Sequence, residues 1–167
     1  MEFCLGSLGL PKVNFFSWLL AHKKILISKN LIKRGIVGPH KCPLCCQSKE
    51  SINHIFIDCS YAIQVWNFLL ERLAVPVPQQ QRIQQVFTSW QGQYPTPLKE
   101  KPSWKKIGMA LPKFICWKIC LARNQSIFQG STHTPIQTAV KAKGILLEAF
   151  SVSGLQWESR LNPQEKT

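Results

Sequence analysis

The feature that most constrains this chain is a set of four side chains suited to one metal ion: Cys42, Cys45, His54 and Cys59. Two residues separate the first two cysteines, eight separate the second cysteine from the histidine, and four separate the histidine from the last cysteine. Zn²⁺ favours thiolate and imidazole ligands, and structural zinc sites fill all four positions with protein groups. We therefore predict a tetrahedral Cys3His zinc site, in which Pro43 stiffens the first turn because proline fixes φ.

The competing interpretation is that these cysteines are ordinary buried thiols, since unligated cysteine is often buried and inert. Two ligand pairs across a short loop favour the metal over that alternative. Two further residues of the stretch, Cys46 and His40, are spare candidates. Cys46 directly follows a ligand and should point elsewhere, so we interpret it as a packing residue, and we expect His40 to be a solvated loop residue.

The composition indicates a polyanionic partner. The chain has 167 residues with 45% hydrophobic content, enough for a core, and its 21 Lys and Arg outnumber 8 Asp and Glu for a net charge of +13. Such a surplus favours nucleic acid, RNA or DNA. No apolar run approaches the ~20 residues of a membrane-spanning helix, so we expect no membrane partner. Seven cysteines without a recognisable secretory signal favour a reducing, intracellular compartment, nucleus or cytoplasm.

The basic residues are concentrated in two stretches without acidic residues, 3–49 and 101–147. Neutralising phosphates releases counterions, so such stretches predict salt-dependent binding. In the first stretch we assign nucleic-acid contact to six cations: Lys23, Lys24, Lys29, Lys33, Arg34 and Lys41. Further basic residues include Lys12 in the first stretch and Lys118, Arg123 and Lys141 in the second. For any single lysine, the alternative is that it only solvates a helix face.

Hydrophobic periodicity predicts helices almost throughout, with little strand-like alternation. Helices are expected to begin near Pro11, Ser28, Ser51, Ser60, Ile83, Ser103 and Pro135. Ser28 is predicted as an N-cap, and Gly35 and Gly130 as C-terminal glycines. Pro112 should kink or restart the longest helix. An unbroken α-helix would separate His54 and Cys59 by roughly 140°, so we expect their helix to end near Asp58.

We predict an all-α fold in which a small zinc-stabilised helical unit is followed by a linker and a C-terminal helical hairpin. The predicted segments are a zinc-binding domain (1–75), a linker with a short helix (76–102), a helical region (103–153) and a tail (154–167). Exposed aromatic residues could stack on single-stranded bases, but the four that fall on apolar helix faces are predicted to be core: Phe15, Phe16, Trp18 and Trp66. Cys116 and Cys120, four residues apart, are predicted to pack in the core, and Trp157 to dock back from the tail.

These residues resemble the zinc-binding region near the C-terminal end of plant LINE-type (non-LTR) retrotransposon reverse transcriptases. The matching segments are residues 10–19 (LPKVNFFSWL), 31–36 (LIKRGI), 42–45 (CPLC), 53–56 (NHIF) and 58–59 (DC), with Ala62, Val65 and Trp66. A weaker match is residues 119–128 (ICLARNQSIF), where Cys120 and Ala122 replace more typical Trp and Glu residues. The resemblance implies that Cys42, Cys45, His54 and Cys59 are zinc ligands and that the region binds nucleic acid beside a polymerase.

The leading hypothesis is therefore a basic module with structural zinc that binds RNA or DNA, without polymerase or RNase H activity of its own. We expect a fragment or relic of a reverse transcriptase, since the sequence has no paired-aspartate signature and no carboxylate cluster for two-metal chemistry. The alternative is a protein-interaction module that docks on a reverse transcriptase domain or a host protein. Catalytic zinc is a third hypothesis, and it would need a general base, for which Glu50 is the nearest acid in sequence.

Overall fold

The computed structural model describes residues 10–73, 75–90 and 102–152, and these residues are mainly helical. Their α-helices are α1 (Pro11–Ala21), α2 (Ser28–Ile32), α3 (Ser60–Leu70), α4 (Ile83–Ser89), α5 (Pro102–Gln129) and α6 (Pro135–Val152). A π turn (His54–Asp58) precedes α3, and a 3-10 turn (Glu71–Leu73) follows it. Within these ranges no strand forms beyond an isolated antiparallel bridge between Lys41 and Lys49. The predicted all-α class is confirmed.

Three helix starts show how the sequence sets the boundaries. Pro11 opens α1 at its first position, where its missing N–H costs nothing. Thr134 caps α6, accepting a bond from the Gln137 N–H (3.2 Å) while the Gln137 side chain accepts one from the Thr134 N–H (3.0 Å). The prediction that Ser28 is an N-cap is wrong. Ser28 is already helical, and its N–H donates to the Glu50 carboxylate (2.6 Å), which replaces a local cap.

Two glycines end helices, as predicted. Gly35 (φ +73°) follows α2 and Gly130 (φ +61°) follows α5, and the left-handed backbone at both positions favours glycine. Of the two outcomes expected at Pro112, a kink or a restart, the restart does not occur, because α5 is one element through that residue. The kink stays a prediction. Buried Leu111 and Phe114 anchor the helix on either side of the proline, so packing offsets the backbone hydrogen bond that Pro112 lacks.

One continuous hydrophobic cluster joins the helices around the π turn. α5 packs against α6 and α1, and α3 packs against α6. At its centre, Phe16 of α1 makes edge-on contacts with Phe56 (6.2 Å between ring centroids) and with Trp117 of α5 (5.2 Å). Helix α5 also packs against the π turn, which carries part of the candidate site. The division into segments 1–75, 76–102, 103–153 and 154–167 stays a prediction, and Trp157 lies outside the described residues.

Among the described helices, none is both long enough and apolar enough to cross a membrane.

Candidate metal centre

The four sequence-predicted ligands converge on one point. Cys42, Cys45, His54 and Cys59 each offer one donor atom, and these atoms all lie within 4.8 Å of one another. The Sγ atoms of Cys42 and Cys59 are 3.9 Å apart, and Cys45 Sγ is 3.3 Å from His54 Nε2. Tetrahedral zinc with ordinary bond lengths would separate two sulfurs by about 3.8 Å and a sulfur from a nitrogen by about 3.6 Å. The cluster therefore fits one tetrahedral ion.

A tight turn supplies the first two ligands. The Cys46 N–H donates to the Cys42 carbonyl (2.8 Å), and the Cys42 N–H donates to the Ser48 carbonyl (2.8 Å). The antiparallel bridge between Lys41 and Lys49 closes the loop of residues 42–48, which we call the metal loop. The interpretation of Cys46 as a packing residue is wrong. Its left-handed backbone (φ +57°) ends the turn and leaves the side chain exposed.

The π turn supplies the other two ligands. The Cys59 N–H donates to the His54 carbonyl at 2.7 Å, a bond between residues five apart in sequence. A π turn closes with this i→i+5 bond, so residues that an α-helix would splay apart lie on one side. The predicted end near Asp58 is confirmed. Near the predicted start, the Ser51 hydroxyl accepts a hydrogen bond from the His54 N–H (3.1 Å). The widened turn itself was not foreseen, because the sequence shows only that an α-helix could not bring these ligands together.

The hydrophobic core fixes the position of this turn. Ile55, Phe56 and Ile57 are all buried between the two ligands that flank them. The indole N–H of Trp66, in α3, donates to the Phe56 carbonyl at 2.8 Å. His54 and Cys59 are therefore held by packing and by a buried hydrogen bond, independently of any ion.

The buried thiols of Cys42 and Cys59 shift each other's pKa through the hydrogen bond between them. The hydrogen bond with Cys59 lowers the pKa of the Cys42 thiol to about 5, against an opposing effect of burial. The same hydrogen bond, together with burial, raises the pKa of Cys59. A zinc ion would take the place of the proton between the two sulfurs, because cysteine ligates a metal as the thiolate.

The donor set suits a structural ion. Three sulfurs and one imidazole are the ligands that Zn²⁺ prefers, and with all four from the protein no position is left for substrate. Glu50, the sequence candidate for a general base, is buried, and Arg123 Nε donates to its Oε1 at 2.7 Å. Its carboxylate is therefore engaged in an ion pair, and the structure offers no support for the catalytic-zinc hypothesis.

Sequence reasoning missed the role of Arg123. It grouped this residue with the basic stretch 101–147, whereas the structure buries it against Glu50, 73 residues away. Its Nη1 also donates to the Leu26 carbonyl (3.2 Å). The only signal in the sequence is that Glu50 is the first acid after the acid-free stretch 3–49, which does not identify its partner.

The six cations assigned to nucleic acid are all exposed. Lys23 and Lys24 follow α1, Lys29 lies in α2 with Lys33 and Arg34 after it, and Lys41 borders the metal loop. Of the four aromatic residues predicted as core, Phe16 and Trp66 are buried. The prediction is wrong for Phe15, which is 63% exposed, and Trp18 is only half-buried, because these two lie on the outer side of α1. Cys116 is buried and Cys120 half-buried, as core packing requires.

Comparison with known families supports the zinc assignment. Residues 5–66 match the family model described as zinc-binding in reverse transcriptase. The matched segment contains all four donor residues, so this part of the chain is supported as a zinc-binding domain of the reverse-transcriptase type. Helices α4, α5 and α6 lie beyond it. No curated protein and no solved structure was found to match the chain.

Proposed function

We propose that this protein is a basic nucleic-acid-binding module organised by one structural Zn²⁺, which Cys42, Cys45, His54 and Cys59 hold. It has no polymerase or RNase H activity of its own. The observation that carries the proposal is the convergence of four zinc-type donors within 4.8 Å inside a segment that matches a reverse-transcriptase zinc-binding model. The ion would fix the metal loop to the π turn, and the cations around this unit would contact phosphates.

The surface charge supports nucleic acid as the partner. The chain carries a net charge of +13, and the cations nearest the metal unit in sequence are exposed rather than paired in the core. Such surfaces attract polyanions over long range and bind phosphates with little sequence preference.

We further propose an origin in a plant LINE-type element and a location in a reducing compartment, nucleus or cytoplasm, where thiolate ligands persist.

Salt-titrated binding of the zinc-loaded chain to RNA and DNA tests the proposal. Replacing Lys33 and Arg34 with Glu should weaken binding to every sequence and reduce the salt slope by about 2, one unit for each phosphate that the variant no longer neutralises. The matched control carries Glu at Lys106 and Lys143, two exposed cations outside the matched segment, and has the same net charge. No binding near ~50 mM salt, or equal effects of the two double variants, would contradict the proposal.

A second candidate function rests on a different observation. Leu26 and Phe128 are exposed and border an open groove of about 280 Å³ with mostly apolar walls. Under this alternative, an apolar segment of a reverse transcriptase domain would occupy the groove, and the charge would serve only solubility. Phe128→Gln should then weaken association with that domain, whereas under the nucleic-acid proposal this uncharged replacement should leave phosphate binding unchanged.

A further inference from the structure

The outer side of α1 carries three rings in series. Phe15, Trp18 and His22 recur at spacings of three and four residues, which places them on one helix face. The rings of Phe15 and Trp18 are nearly parallel (13°), and their centroids are 6.3 Å apart. The centroids of the Trp18 and His22 rings are 4.5 Å apart. We call this set the aromatic face of α1.

This face is not required by the core. The opposite side of α1 already fills the core with Val13, Phe16 and Leu20, which are at most 4% exposed. Phe15 is 63% exposed, so one end of the ring series is open to a further planar group. His22 Nδ1 donates to the Trp18 carbonyl (2.8 Å), which fixes the other end.

Two cations, Lys24 and Lys12, lie beside the aromatic face. Lys24 places its ammonium 4.8 Å from the centre of a Trp18 ring, within cation–π range. Lys12 is exposed one turn before Phe15, on the same side of the helix. From Lys12 to His22 the face runs about 15 Å along the helix axis.

Two further cations, Lys118 of α5 and Lys141 of α6, lie on helices that pack together, since α5 packs against both α1 and α6. The positive charges of Lys12 and Lys141 both act on the half-buried ammonium group of Lys118. Burial of the Lys118 side chain lowers its pKa, and the positive charges of Lys12 and Lys141 lower this pKa further. The Glu148 carboxylate has the opposite effect. These ammonium groups provide positive charge that can attract phosphate, and the Glu148 carboxylate offsets part of it.

We propose that the aromatic face of α1 binds single-stranded nucleic acid, with an unpaired base stacked on the open face of Phe15 and phosphates held by Lys12, Lys118 and Lys141. This inference rests on the proposed function and assigns it a strand type and a place. Unpaired bases stack on aromatic side chains whatever their sequence, whereas the bases of a duplex are already stacked on one another. The phosphates of the strand also match the cations beside the aromatic face, which an apolar protein surface would not.

Phe15→Ala tests the inference, with Phe15→Tyr as the variant that keeps the ring and Phe68→Ala, an exposed phenylalanine on α3, as the matched control. The probes are a single strand of about 12 nucleotides in ribose and deoxyribose forms, the duplex of the same sequence, and the single strand made abasic. Phe15→Ala should weaken binding of the intact single strands by about fivefold or more. Its salt slope, its duplex and abasic affinities and its melting temperature should not change, and Phe15→Tyr should restore binding. The two single-strand forms separate RNA from DNA as the preferred source of the base.

Several outcomes would overturn the inference. Equal losses on the abasic strand and the duplex would show that Phe15 does not stack on a base. A loss with Phe68→Ala as large as that with Phe15→Ala would remove the assignment to α1. An unchanged affinity in Phe15→Ala, alongside weakened binding when Lys33 and Arg34 are reversed, would refute stacking and leave the proposed function standing. An unaltered chain that binds none of the probes would refute both.

Discussion

Arg123 donates two hydrogen bonds to the carboxylate of Glu50, Nε to Oε1 at 2.7 Å and Nη2 to Oε2 at 3.0 Å. The pair is buried, and its remaining polar groups are used as well: Ser28 donates its N–H to the carboxylate, and the Leu26 carbonyl accepts from the guanidinium. Ser126, on the same helix as Arg123, donates to the Pro43 carbonyl of the metal loop (3.4 Å). Helix α5 lies outside the segment that matches the family model. It is nevertheless hydrogen-bonded to the metal loop and, through Glu50, to the start of α2.

Replacing only one member of this pair should be costly. Arg123→Leu leaves a buried carboxylate without its counter-ion, and Glu50→Leu leaves a buried guanidinium, so each should lower the free energy of unfolding by about 3–5 kcal/mol. The double Leu variant should lose much less than the sum of the two. Urea denaturation of the zinc-loaded proteins measures all three, with Arg34→Leu as an exposed control expected within about 0.5 kcal/mol of the unaltered chain. Strictly additive losses would show that the two charges do not interact.

A hydroxyl network should hold α3 to α6. Tyr61 donates to the His133 carbonyl (2.9 Å) and shares a hydrogen bond with Thr138 Oγ1 (2.6 Å). Burial raises the pKa of Tyr61, so the phenol is neutral and can donate. Tyr61→Phe removes the donor without creating a large cavity and should cost about 1–3 kcal/mol.

The control for this network is a double-mutant cycle with Thr138→Val, measured by thermal or urea unfolding. Because both substitutions remove the same hydrogen bond, their combined cost should fall short of the sum. A cost for Tyr61→Phe below about 0.5 kcal/mol would place it with ordinary surface changes and contradict the network.

Alanine substitutions at two glycines should have opposite effects on the stability of the fold. A Cβ at Gly38 would lie 3.0 Å from the backbone Cα of Ser28, which cannot move without disturbing the N–H that Ser28 donates to Glu50, so Gly38→Ala should be destabilising. A Cβ at Gly144, within α6, meets nothing within 4 Å. Gly144→Ala should therefore stabilise by roughly 0.5–1 kcal/mol, the helix-propensity difference. Melting temperatures of both variants decide the matter, and a rise with Gly38→Ala would refute the close packing of the loop on α2.

Local patterns predicted what depends on neighbouring residues in the chain. The helix starts at Pro11 and Pro135, the stops at Gly35 and Gly130, and the convergence of two ligand pairs follow from spacing and backbone preference. The pairing of Glu50 with Arg123 does not, because 73 residues separate them and only the packing of α5 brings them together. The prediction that Ser28 caps α2 failed for the same reason, because the group that accepts the Ser28 N–H is the carboxylate of Glu50, 22 residues away.

The outward position of Phe15 was missed for a related reason. Phe15 and Phe16 are adjacent on a helix with apolar residues on several sides, so the hydrophobic pattern did not show which ring faces the core. The contacts of Phe16 with Phe56 and Trp117 decide it, and both partners come from other elements. The electrostatic effect of Lys12 and Lys141 on Lys118 likewise depends on the packing of three helices.

Metal content of the purified, zinc-reconstituted chain tests the central claim most directly. The unaltered protein and the Cys46→Ser control, whose side chain is exposed beside the cluster, should each retain one equivalent of zinc after dialysis. Cys42→Ser and His54→Ala should each release it, because each removes one of the four converging donors. Zinc retained at one equivalent in both ligand variants, or absent from the unaltered chain, would contradict the account.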